Sequence, residues 1–160
     1  MTKAATYEQL LDDLDAILTG ETNAILKMST INCLVQERFP EFFWVGFYCM
    51  DGGELIVGPY QGTMGCLHIP LSKGICGRAA RTLTTQIVAD VHADPEHVAC
   101  DSRTNSEIVV PVFDSTRKLI AVFDIDSTAF DTFDSTDRRY LEWLVARHFA
   151  TPELVMAYRQ

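Results

Sequence analysis

Basic residues are scarce in this 160-residue chain: 13 Lys and Arg stand against 22 Asp and Glu, a formal net charge of −9. Such a surface repels phosphate backbones and argues against nucleic acid as a partner. No apolar run approaches the roughly 18 residues that a membrane-spanning helix requires, so no membrane association is expected. The opening stretch MTKAATYEQLLDDLD is acidic where a signal peptide carries an unbroken apolar segment, and the cytoplasm is the expected compartment. Five scattered cysteines are too few for a secreted disulfide scaffold. C-x-x-C pairs are missing, which leaves a structural zinc site poorly supported. The chain also lacks a serine in a nucleophile elbow, a phosphate-cradling glycine loop, internal repeats and low-complexity tracts.

What remains is 48% hydrophobic and suits one globular domain over residues 1–160. Leu10, Leu14, Ile17 and Leu18 fall at helical spacing and predict a helix over 6–19, stopped by Gly20. Ala24, Met28, Ile31 and Val35 predict a second over 22–38. The period then shortens. FFWVGFYCM (42–50) and ELIVGPY (54–60), joined by DGG, form a strong hairpin signal. In its first strand Trp44, Gly46 and Tyr48 share one face, and Val45 and Phe47 the other. GCLHIPL (65–71) and TQIVAD (85–90) read as short strands around a short helix in 72–83. Residues 91–104 have no apolar period, and a loop of that length inside a compact domain is often functional. SEIVVPVFD (106–114) and LIAVFDIDST (119–128) predict a second hairpin, and a helix follows over 135–149 with Ser135 or Thr136 as its cap. The order lacks βα alternation and predicts an α+β domain, with an antiparallel sheet, sheet and pocket spanning 42–128, and helices packed against it.

Asp124 and Asp126 are one residue apart in a strand and must point the same way, with Phe123 and Ile125 opposite. They mark either an exposed strand face or a pocket floor. On a floor, burial and mutual repulsion would give a proton donor or an anchor for an ammonium group. Glu107 opens the preceding strand and can sit beside them. Trp44 and Tyr48 read equally as core aromatics or as the wall of a pocket for a small apolar group or a cation. A cysteine is commonly a small buried hydrophobe, the reading given to Cys33 and Cys49. Cys66, in a short strand, Cys76, at a helix start that favours thiolate, and Cys100, in the long loop, share the most polar third of the chain. Arg103 beside Cys100 would favour thiolate, and Asp101 would oppose it. His68, His92 and His97 match no compact metal-ligand spacing, so no metal is expected. These residues together suit thiol redox chemistry on a small cationic substrate.

The segments GPYQG (58–62), C-L-HIPLSKGICGRA (66–79), DVHADPEHVACDSRTNSEIVVP (90–111) and AVFDIDS (121–127) resemble free methionine-(R)-sulfoxide reductases, a family of stand-alone GAF domains. The resemblance covers about residues 20–147 without a departure at a motif position; only the hairpin tip FDSTRK is slightly long. It implies a six-stranded antiparallel sheet flanked by helices and reduction of free L-methionine-(R)-sulfoxide without metal or organic cofactor. By resemblance Cys100 is the attacking thiol, Cys66 its resolving partner in a disulfide, and Cys76 a third cysteine with a catalytic or resolving role. Trp44 and Tyr48 contact the substrate's methyl end, while Glu107, Asp124 and Asp126 hold its ammonium and sulfoxide groups. Thioredoxin or a similar dithiol would regenerate the thiols, and pairing of GAF domains through their helices implies a homodimer. Two rival readings stand beside this one: a GAF-type sensor that binds a small molecule without chemistry, and a thiol switch in which the disulfide itself is the signal.

Overall fold

The computed structural model describes residues 1–156. Helix α1 (Lys3–Ile17) begins ahead of the expected residue 6 because Thr2 caps it, its hydroxyl accepting from the Ala5 N–H at 3.1 Å. Asn23 does the same for α2 (Ala24–Arg38), accepting from the Leu26 N–H. Strands β1 (Phe42–Asp51) and β2 (Glu54–Gln61) form the hairpin predicted by the alternating pattern. Strand β3 covers only His68–Pro70 and β4 only Gln86–Val88, so both are shorter than expected. Cys66 therefore lies in the loop before β3 rather than in a strand. Helix α3 (Gly74–Thr82) sits between these two strands, and one 3-10 turn (Val91–Ala93) interrupts the long loop. Strands β5 (Ser106–Phe113) and β6 (Leu119–Ser127) form the second hairpin, and α4 (Ser135–Phe149) follows.

The α4 cap is Asp134, not Ser135 or Thr136. Its carboxylate accepts from the Thr136 and Asp137 N–H groups, while Asp137 accepts from the Asp134 N–H at 2.8 Å. A carboxylate competes better than a hydroxyl for these exposed N–H groups, because it adds charge at the positive end of the helix.

All strand pairs are antiparallel, in the order β3-β2-β1-β6-β5-β4. Alternation along the central strands splits the interior into two layers. Val45, Phe47, Phe123 and Ile125 join the large core beneath α1, α2 and α4. Each such side chain removed from water contributes about 1.5–3 kcal/mol. Trp44, Tyr48 and Val122 face the other way, toward a smaller cluster under α3 with Ile75, Cys76 and Ala79. The helical layer is pinned by a buried knot: Asp137 accepts from the Tyr7 hydroxyl at 2.8 Å and pairs with the Lys3 ammonium at 2.6 Å. Among the described residues no helix is long and apolar enough to cross a membrane.

Candidate active site

The side of the sheet under α3 holds the unusual chemistry. Asp126 pairs with Glu107 across the β5–β6 ladder and with Trp44 across β1–β6, while Asp124 pairs with Gly46. The period of two that sends Phe123 and Ile125 into the large core thus sends both aspartates into the smaller layer. Asp124 and Glu107 are each only 5% exposed, and Asp126 is partly buried. The exposed-face reading of this pair is excluded. Burial, and then the neighbouring charges, push all three carboxyls well above the ordinary carboxylate range: Asp124 acts on Glu107, Asp126 on Asp124, and Glu107 on Asp126.

The wall is aromatic. Trp44 stacks on Tyr48 with ring centroids 5.6 Å apart and on Tyr60 at 5.2 Å, and its indole N–H donates to the Thr63 carbonyl. Gly46 makes this stack possible, because a Cβ there would lie 2.4 Å from the Tyr60 Cβ and 2.6 Å from the Trp44 ring. Burial, followed by the charge of Asp124, pushes the Tyr48 hydroxyl up, so it remains a donor.

Three cysteines meet here. Cys66 and Cys100 are joined in a disulfide with Cα atoms 5.2 Å apart. Cys76, buried in the first turn of α3, directs its thiol at Glu107 Oε1 at 4.0 Å. The expected thiolate at this helix start is not what the surroundings favour. Burial pushes the Cys76 thiol well up, and the charges of Asp124, Glu107 and Asp126 push the same way, outweighing the helix end. Arg103 is likewise not available to Cys100: its guanidinium grips the Asp101 carboxylate at 3.0 and 2.7 Å and holds that acid well below its usual range. Cys49 packs against the large core, and burial raises its thiol to about 11. Cys33 is exposed on α2, contrary to the expected packing role.

The loop that carries Cys100 is tied down at several points. Arg78 of α3 holds Asp94 through two hydrogen bonds at 3.1 and 2.8 Å, Arg81 pairs with Glu96 at 3.0 Å, and His92 meets Asn105 at 2.7 Å. Thr63 donates to Asp101 at 2.5 Å, linking the loops around Cys66 and Cys100. These ties reduce the entropy of bringing together two thiols 34 residues apart in sequence.

The pocket is lined by Trp44, Tyr48, Cys76, Cys100, Glu107, Asp124 and Asp126, and Cys66 reaches it through the disulfide. In this disulfide-closed form its cavity is small, about 30 Å³. The three histidines do not assemble. His68 pairs with Glu54 on the surface, and His92 stays with Asn105. His97 alone lines the pocket, with Nδ1 3.9 Å from Glu107 Oε2. Cys76, Glu107 and Asp124 nevertheless offer one donor atom each within 4.8 Å of one another, a geometry that could hold a metal ion. Sequence reasoning missed His97 as a pocket residue, the Thr63–Asp101 link, and Thr104, which also lines the pocket. The DSRT run beside Cys100 was a local signal for the last two, but what they face is distant in sequence.

The family model of the GAF domain matches residues 34–149. A free methionine-R-sulfoxide reductase of Escherichia coli is 38% identical over 92% of this chain and 88% of its own length. One from Saccharomyces cerevisiae is also 38% identical, over 90% and 84%. The X-ray structure of free methionine-R-sulfoxide reductase from Neisseria meningitidis, in complex with its substrate, superposes with a TM-score of 0.86 at 39% identity, covering 91% of this chain and 87% of that one.

Proposed function

The chain belongs to the free methionine-R-sulfoxide reductase family of GAF domains, and we propose that it is a thiol-dependent oxidoreductase that converts free L-methionine-(R)-sulfoxide to L-methionine. The observation that carries the reading is the Cys66–Cys100 disulfide at a pocket floored by Glu107, Asp124 and Asp126. In the reduced enzyme the Cys100 thiolate attacks the sulfoxide sulfur. The oxygen needs a proton to depart, and the acids of the floor, held neutral by burial and by one another, supply it. Methionine leaves and the oxygen passes to Cys100 as a sulfenic acid, so the substrate sulfur is reduced by two electrons and the cysteine is oxidised by two. The Cys66 thiol then displaces water from the sulfenic acid to form the disulfide. An external dithiol of the thioredoxin kind reduces that bond by exchange and closes the cycle. The small cavity of the present form suits the oxidised end of the cycle, after methionine has left.

Specificity follows from the same floor. The α-ammonium of a free amino acid satisfies the buried acids, whereas a peptide-bound methionine has no such group and would leave them unpaired. Trp44 and Tyr48 bound the methyl end. The test is methionine release from free R- and S-sulfoxides and from a peptide-bound sulfoxide, with dithiothreitol as reductant and Cys100→Ala beside the native protein. Turnover confined to the free R form and lost in Cys100→Ala is expected. Activity surviving in the variant would move the attack to another thiol, and no turnover on any form would leave a binding module.

A further inference from the structure

We propose that Cys76, Glu107 and Asp124 form a binding site for a thiophilic divalent ion of the Zn²⁺ class, open to the ion while Cys66 and Cys100 are joined. The donor set comes first. One atom from each residue lies within 4.8 Å of the others, and the thiol stands 4.0 Å from the Glu107 oxygen. Tetrahedral zinc holds sulfur at about 2.3 Å and oxygen at about 2.0 Å, which puts ligand atoms roughly 3.5 Å apart. Small side-chain rotations close that difference.

The second observation is an orphan. Asp124 is 5% exposed, and its Oδ1 has no hydrogen-bond partner among the described residues. A buried acceptor without a donor is costly and marks a place where something binds. His97 Nδ1 is orphaned too, and stands 3.9 Å from Glu107 Oε2, placed to orient that carboxylate. Charge points the same way. The cation beside these acids, Arg78, is committed to Asp94 and Gln86. A bound cation takes the place of the protons that these carboxyls hold.

Softness and size choose the class. An ammonium group is satisfied by carboxylates alone, and Mg²⁺ or Ca²⁺ prefers oxygen donors. An ion that also recruits Cys76 is a borderline or soft transition metal. A cavity of about 30 Å³ admits an ion and excludes an amino acid. Cys76 is a free thiol while the other two pocket cysteines are bonded to each other, so the site exists in the oxidised protein. Binding releases the Cys76 proton and any proton held between the carboxyls, with no change of oxidation state. On the proposed reductase reading, an ion held there occupies the substrate's ammonium site and blocks turnover.

Co²⁺ is the probe, added to the disulfide-closed protein in a Cys33→Ser background that removes the exposed thiol. The expected result is a thiolate-to-cobalt charge-transfer band that saturates at one ion per chain and disappears on adding Zn²⁺. The band should be lost in Cys76→Ser and the affinity weakened by about tenfold or more in Asp124→Asn. No such band in the Cys33→Ser protein, or a band unchanged in Cys76→Ser, overturns the site. Methionine release with a phosphine reductant, with and without Zn²⁺, separates the two readings. Absent turnover in metal-free protein sinks the reductase and leaves the cobalt result standing.

Discussion

Glu107 and Asp126 stand directly opposite each other across the β5–β6 ladder, both turned toward the smaller interior layer. Like charges in that relationship cannot both ionise at ordinary cost, and Asp124 one pleat away adds to the repulsion. The floor is therefore a store of protons.

A pH dependence follows. Acids whose folded values are raised bind protons in the native state that the unfolded chain has already released. Stability is accordingly present near the ordinary carboxylate range and is lost as pH rises toward the raised values. Asp124→Asn removes part of this penalty. Its urea midpoint, relative to the native protein, should be more favourable at about pH 8 than at about pH 5. An equal offset at both pH values would show that Asp124 ionises normally in the fold.

Removing Cys66 should halt the cycle midway. Without reductant, Cys66→Ser should release one methionine per chain and leave a Cys100 sulfenic acid that a cyclic diketone traps for mass spectrometry. Cys76 is buried on α3 beside the acids, while Cys66 is the partner of Cys100. A Cys76–Cys100 disulfide forming instead would make Cys76 the resolving thiol.

Gly46→Ala tests the aromatic wall. The added methyl meets Tyr60 and Trp44 well inside van der Waals contact. Such overpacking costs about 1–3 kcal/mol, and the displaced indole should raise KM for the sulfoxide more than it lowers kcat. A variant with unchanged Tm and KM would mean that the stack yields without consequence.

Asp137→Ala is the contrasting case, in the helical layer away from the chemistry. It leaves the Tyr7 hydroxyl buried without a partner, strips Lys3 of its shorter carboxylate contact while leaving it Asp134 at 3.2 Å, and breaks the α4 capping box. A loss of about 2–4 kcal/mol in denaturant unfolding is expected, with kcat unchanged at a temperature where the variant remains folded. A fall in kcat without loss of stability would tie this knot to the site.

The two hairpins, the paired direction of Asp124 and Asp126 and the division of β1 into an aromatic face and a core face were legible in the sequence, because a period of two leaves no freedom in where alternate side chains point. The helices were legible from their apolar spacing, but Thr2 and Asp134 as caps were not, since a cap is defined by the backbone angle that it adopts. The resemblance of the cysteine and acid motifs carried the family and pointed to Cys66 and Cys100 as partners. Only the tertiary structure decided what surrounds each group. It buried Cys76 among acids, against the pull of its helix end. It spent Arg103 on Asp101 and brought His97 to Glu107. The reason is physical: a side chain's direction is set by its own strand or helix, whereas its charge state is set by neighbours that the chain brings together only when it folds.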